Sequence, residues 1–129
     1  MALTKDTVEK LEKVTGQVEG LHREITALAR KSPNDAVNKF KLKFINGAIR
    51  EANGVLGEKY KPVDGFDAFE EDEIPTNSDV TFILAQYAEE LERLRADNIR
   101  RHTGLWIYDL SGSADNIRTA PPKKISEKK

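Results

Sequence analysis

The chain has 129 residues, 33% of them charged and 38% hydrophobic, with a formal net charge of −1 at pH 7. That is the profile of one soluble, helix-rich domain, and the near-neutral balance excludes a uniformly basic protein with nucleic acid as its general partner. The absence of cysteine excludes disulfides, thiolate metal sites and a cysteine nucleophile, in keeping with a reducing compartment.

No apolar run approaches the length that a bilayer span needs. Met1-Ala2-Leu3-Thr4-Lys5-Asp6 lacks the basic-then-hydrophobic order of a secretory signal, so the expected location is cytoplasmic, with no membrane partner. The pattern predicts a single helical domain over 1–120 and a disordered basic tail over 121–129.

The first helix is expected from Thr4, its N-cap, to about Lys31, with Leu3 and Val8 placed as a hydrophobic staple. Leu11, Val14, Val18, Leu21, Ile25 and Leu28 follow a 3-4-3-4-3 spacing, a heptad seam that holds one apolar stripe toward partner helices for about 27 Å. The seam fits either a self-associating coiled coil or the inward face of a bundle. The helix is long compared with the two that follow, so a homo-oligomer through this seam is the expectation. Gly16 and Gly20 form a G-x-x-x-G at the outer positions f and c, read as tolerated surface glycine.

Ser32-Pro33-Asn34-Asp35 has the chemistry of a new helix start, which predicts helix two over about 33–56. Val37, Phe40, Phe44, Ile45, Ala48, Ile49, Ala52, Val55 and Leu56 spread over a wide face, the signature of a core helix that Gly57 terminates. Segment 62–79 carries seven acidic side chains and no Lys or Arg. Within it, 66–73 reads as a single helical turn pinned by Phe66 and Phe69. The spacing does not match an EF-hand, so the 64–73 loop is expected to be solvated and available to a basic protein partner.

Helix three should open at Thr76 with Asp79, or at Ser78, and run to about His102 on the spacing of Val80, Ile83, Leu84, Tyr87, Leu91, Leu94 and Ile99. Beyond Gly104, Leu105–Tyr108 has strand composition and is expected to pair with 116–119 around Ser111-Gly112-Ser113. The fold class is therefore an all-α three-helix bundle with a long heptad helix and a short C-terminal extended segment or hairpin.

Three readings of function follow from these residues. The first is a non-enzymatic interaction or regulatory module that oligomerises through helix one and needs no cofactor. A second rests on the E-x-x-E of Glu89 and Glu92, which bears a partial resemblance to the way all-α nucleotide pyrophosphohydrolases present bundle carboxylates to Mg²⁺. The full paired acidic pattern of that family is absent, and the equivalent Glu9 and Glu12 sit at outer heptad positions. The third is a nucleic-acid-binding regulator. Arg93, Arg95, Arg100, Arg101 and His102 precede Trp106 and Tyr108, joining charge for phosphate to rings for bases. Only two histidines occur, and no nucleophile elbow or phosphate-cradling loop, so an enzyme is disfavoured.

Overall fold

The computed structural model describes residues 3–112 and 116–124. Three helices, α1 (Lys5–Lys31), α2 (Lys39–Tyr60) and α3 (Asn77–Asp97), form a bundle, followed by a hairpin of β1 (Ile99–His102) and β2 (Leu105–Tyr108). The core runs along the middle of the bundle, where α1 packs on both α2 and α3.

Local signals set the helix starts. Thr4 caps α1 by accepting from the Thr7 amide at 3.1 Å. At α3 a full capping box forms: the Thr76 hydroxyl accepts from the Asp79 amide at 3.1 Å, and the Asp79 carboxylate accepts from the Thr76 amide at 3.4 Å.

Helix two begins later than its sequence suggests. Its cap is Asn38, whose side chain accepts from the amides of Phe40 and Lys41, while 32–37 is not helical. That segment bonds instead to the entrance of α3. Val37 N donates to Pro75 O at 2.9 Å, Asn77 N to Asp35 O at 2.9 Å and Ser78 N to Pro33 O at 3.0 Å. The Asn77 side chain adds a bond to Ser32 O at 3.0 Å. A backbone group satisfied by a distant segment no longer needs a helix.

Helix two also turns differently. Leu42, Ile45, Ala48, Ile49, Ala52 and Leu56 are buried, whereas Phe40 and Phe44 stand 67% and 58% exposed, meeting each other edge to face at 5.1 Å. At Gly57 the backbone leaves the helical region, at φ +64°, before a last turn closes through Lys61 N to Gly57 O at 3.1 Å. Glycine enters that left-handed region without steric cost.

Residues 61–74 form bends rather than the helical turn expected around Phe66 and Phe69. Two side chains seven residues apart on α2 hold this loop. Asn46 grips the Phe69 peptide from both sides, donating to O at 3.0 Å and accepting from N at 2.9 Å. Asn53 donates to Phe66 O at 3.3 Å and accepts from the Tyr87 hydroxyl at 2.7 Å.

Helix three stops at Asp97, short of His102. The Asn98 side-chain amide donates to the Leu94 carbonyl at 2.8 Å, and the chain turns into β1. Leu105–Tyr108 is a strand as expected, but its hairpin partner is Ile99–His102, which the sequence reads as the end of helix three, and not 116–119: Ile99 faces Tyr108 and Arg101 faces Trp106. Thr103 and Gly104 both have positive φ, which the two-residue turn of a twisted hairpin requires. The segment 117–119 does reach β2, on its other edge, by an isolated bridge between Ile107 and Arg118. Ser113, within the turn expected there, lies outside the described residues, as does most of the expected tail, 125–129.

Candidate functional site

The heptad seam is mostly internal. Leu11, Val14, Val18 and Ile25 are each no more than 2% exposed and belong to the hydrophobic core cluster. Burying such side chains contributes about 1.5–3 kcal/mol each, so they are not available to a second chain while the bundle is intact. The other two heptad positions differ: Leu21 is partly buried and Leu28 is 38% exposed.

Leu21 lies on the same side of the bundle as Phe44. Between α1 and α2 runs a groove of about 420 Å³, lined by Leu21, Phe44, Gly47 and Ala48 and flanked by Lys43 and Glu51. Lys41 on α2 reaches Glu24 on α1 at 3.5 Å. A methyl group added at Gly47 would meet nothing within 4 Å, so the groove is open there.

The arginine–aromatic cluster divides into two parts. Arg95 and Tyr108 turn inward. The Arg95 guanidinium takes Glu92 with two bonds of 2.8 Å, and its remaining donors hold Thr119 Oγ1 at 2.7 Å, Ala120 O at 2.8 Å and Pro121 O at 2.9 Å. The Glu92 bond raises the Arg95 pKa further above its ordinary value. Glu92 Oε2 also accepts from the Lys123 amide at 2.8 Å, and Lys123 Nζ reaches Glu19 at 3.5 Å. Tyr108 is 1% exposed, points its hydroxyl to Glu12 at 3.4 Å, and has its pKa raised chiefly by burial. This assembly straps the C-terminal segment across α1 and α3, a role that sequence patterning does not reveal. Its one legible signal is Glu92 and Arg95 at i, i+3.

The other part faces out. Arg100, Arg101 and His102 are exposed on β1, with Arg100 within 3.8 Å of Asp109, and Trp106 lies partly buried opposite Arg101. Arg93 pairs with Glu90 at 3.2 Å on α3. The cations thus sit on a helix and on a strand, and do not form the single helix-end cluster that the sequence suggests.

Glu89 and Glu92 do not form a two-carboxylate site. Both oxygens of Glu92 are engaged by Arg95 and Lys123, and among the described residues no group of three or more His, Asp or Glu side chains is placed to hold a metal ion. Among the described residues no helix is long and apolar enough to cross a membrane. Compared with known proteins, the chain matches no family model, no curated protein and no solved structure.

Proposed function

We propose that this protein is a non-enzymatic interaction module that self-associates, and that the α1–α2 face carries the contact. The supporting observation is the exposure of Phe40 and Phe44, at 67% and 58%, beside an open apolar groove. Two exposed rings in mutual contact make a contiguous apolar patch, the kind of surface that marks interaction sites.

The occupant is a second copy, because the face is complementary to itself. Phe44 is a knob and Gly47, three residues on, is a hole. Two α2 helices crossing antiparallel bring each knob to the other's hole, the arrangement of an isologous dimer. Charge agrees with this pairing. Lys43 and Glu51 flank the groove on either side of Phe44 and Gly47, so an antiparallel crossing sets each copy's Lys43 near the other's Glu51, while Lys41 is held by Glu24 of its own chain.

Solution mass by light scattering tests the reading, with the Phe44→Ser variant beside wild type. A dimer for wild type and a monomer for Phe44→Ser, with equal helical circular dichroism, is the expected result. A monomeric wild type, or a dimer indifferent to Phe44→Ser, overturns it.

A nucleic-acid reading keeps one supporting observation, the exposed Arg100, Arg101 and His102 on β1 with Trp106 across the hairpin. Salt-dependent retention on a polyanion column, lost in Arg100→Glu/Arg101→Glu, is its test. The Mg²⁺-dependent phosphohydrolase reading has lost its carboxylate pair, since Glu92 is bonded to Arg95.

A further inference from the structure

Loop 61–74 and the first turns of α3 enclose a second groove, of about 910 Å³. Its lining mixes polar and apolar groups, and includes the Phe66 and Phe69 rings, edge to face at 5.2 Å between centroids. Its wall carries the carboxylates of Glu70, Glu73 and Asp79 and the ring of Phe82. Phe82 is 63% exposed and lies one helical turn after Asp79, so ring and carboxylate share a face of α3.

The groove is preformed. Asn46 fixes the Phe69 peptide through two bonds, Asn53 fixes the Phe66 carbonyl, and the Thr76–Asp79 capping box fixes the start of α3. Asp67 turns to Lys61 at 3.0 Å, so the loop's one described lysine bridge engages a carboxylate other than Glu70 and Glu73. Preformed walls avoid the entropic cost of ordering a loop on binding.

An exposed phenyl ring bordered by carboxylates has a specific complement. A lysine or arginine can set its cation over the ring, neutralise the carboxylates, and lay its methylene stem along the apolar side chains of the lining. We propose that this groove docks a basic, partly apolar segment of a partner protein, in which Lys or Arg alternates with aliphatic residues. Residues 62–79 hold seven acidic side chains and no Lys or Arg, and the two cations beside them, Lys61 on Asp67 and Arg50 near Glu70 and Glu71, leave an acidic excess that favours such a segment. The proposal is independent of the α1–α2 face, since the two grooves are lined by different residues.

Fluorescence anisotropy on the full chain tests it, using three labelled synthetic peptides: lysine with leucine, lysine with glycine, and glutamate with leucine. The lysine–leucine peptide is expected to bind, more weakly as salt rises, and the glutamate peptide not to bind. Phe82→Ser should weaken the lysine–leucine peptide about five- to tenfold, and Glu70→Gln/Glu73→Gln by at least as much. Both changes lie at the surface, and an unchanged thermal midpoint verifies the fold. Absence of binding by the lysine–leucine peptide overturns the proposal. So does equal binding of the lysine–glycine peptide together with indifference to Phe82→Ser, which would be diffuse charge attraction. Conversion of a dimeric wild type to a monomer by Phe82→Ser overturns it too, because the groove would then belong to the contact between copies.

Discussion

The Glu92 carboxylate and the Arg95 guanidinium, one turn apart on α3, meet in a two-bonded pair with Nε–Oε1 and Nη2–Oε2 both at 2.8 Å. Each side chain is only 10% exposed, and each also holds the backbone of the C-terminal segment, Arg95 at Ala120 and Pro121, Glu92 at Lys123. A buried pair so fully bonded fixes the place of a segment that has no helix or strand of its own.

Removing one partner leaves a buried charge without its complement. Arg95→Ala is expected to lower unfolding free energy by about 3 kcal/mol, measured by urea denaturation. Limited proteolysis should then cut the chain first within 119–124. The double variant Glu92→Leu/Arg95→Met should recover much of the stability while leaving the segment cleavable. A strap equally protected in Arg95→Ala would contradict this account.

Asn46 is 2% exposed and makes both bonds to the Phe69 peptide. Asn46→Ala deprives the Phe69 amide and carbonyl of their partner at a cost of about 1–3 kcal/mol. Hydrogen exchange should show the Phe69 amide losing protection before the amides of α2. Equal exchange rates in variant and wild type would show that Asn46 does not hold the loop.

Tyr60 donates its hydroxyl to Asp97 Oδ2 at 2.6 Å. Burial first, then the bond to Asp97 and its charge, push the phenol from 10.0 up to about 12. The folded chain keeps this proton where the unfolded chain loses it, so the contribution is complete below pH 10 and is lost as pH rises from 10 through about 12. Tyr87 and Tyr108 are raised in the same direction, mainly by burial. The urea midpoint should fall across that window, and Tyr60→Phe should reduce the fall. In ultraviolet titration the same variant should lose a late-ionising tyrosine; retention of the full late amplitude would count against the assignment.

Two glycines of α2 should respond in opposite directions. Gly54 lies in regular helix with nothing within 4 Å of an added methyl, so Gly54→Ala should stabilise by up to about 1 kcal/mol. Gly57 sits at φ +64°, where an L side chain is strained, so Gly57→Ala should destabilise by about 1 kcal/mol or more. Thermal midpoints of the two variants shifting in the same direction would contradict the kink at Gly57.

Relations that span a single turn of helix are legible in the residues. The Thr4 cap, the Thr76–Asp79 box and the spacing of Leu11, Val14, Val18 and Ile25 are local, and each appears where its chemistry indicates. The three-helix bundle follows from them; of the terminal hairpin only the strand Leu105–Tyr108 is legible, since Ile99–His102 reads as the end of helix three. The 64–73 carboxylates are legible as a charged loop, while Phe82, which stands out by no sequence pattern, completes that groove through its exposure.

What lies beyond the sequence is decided by partners far along the chain. Residues 32–37 have the composition of a helix start, yet their backbone groups bond to Pro75, Asn77 and Ser78. Arg95 resembles a surface cation until the C-terminal segment covers it, and Phe40 and Phe44 resemble core until Leu42 and Ile45 take the inward face. Apolar character alone cannot choose between two faces of one helix. That choice belongs to the neighbours able to bury one of them, so tertiary packing alone left Leu28 and the rings of Phe40 and Phe44 at the surface.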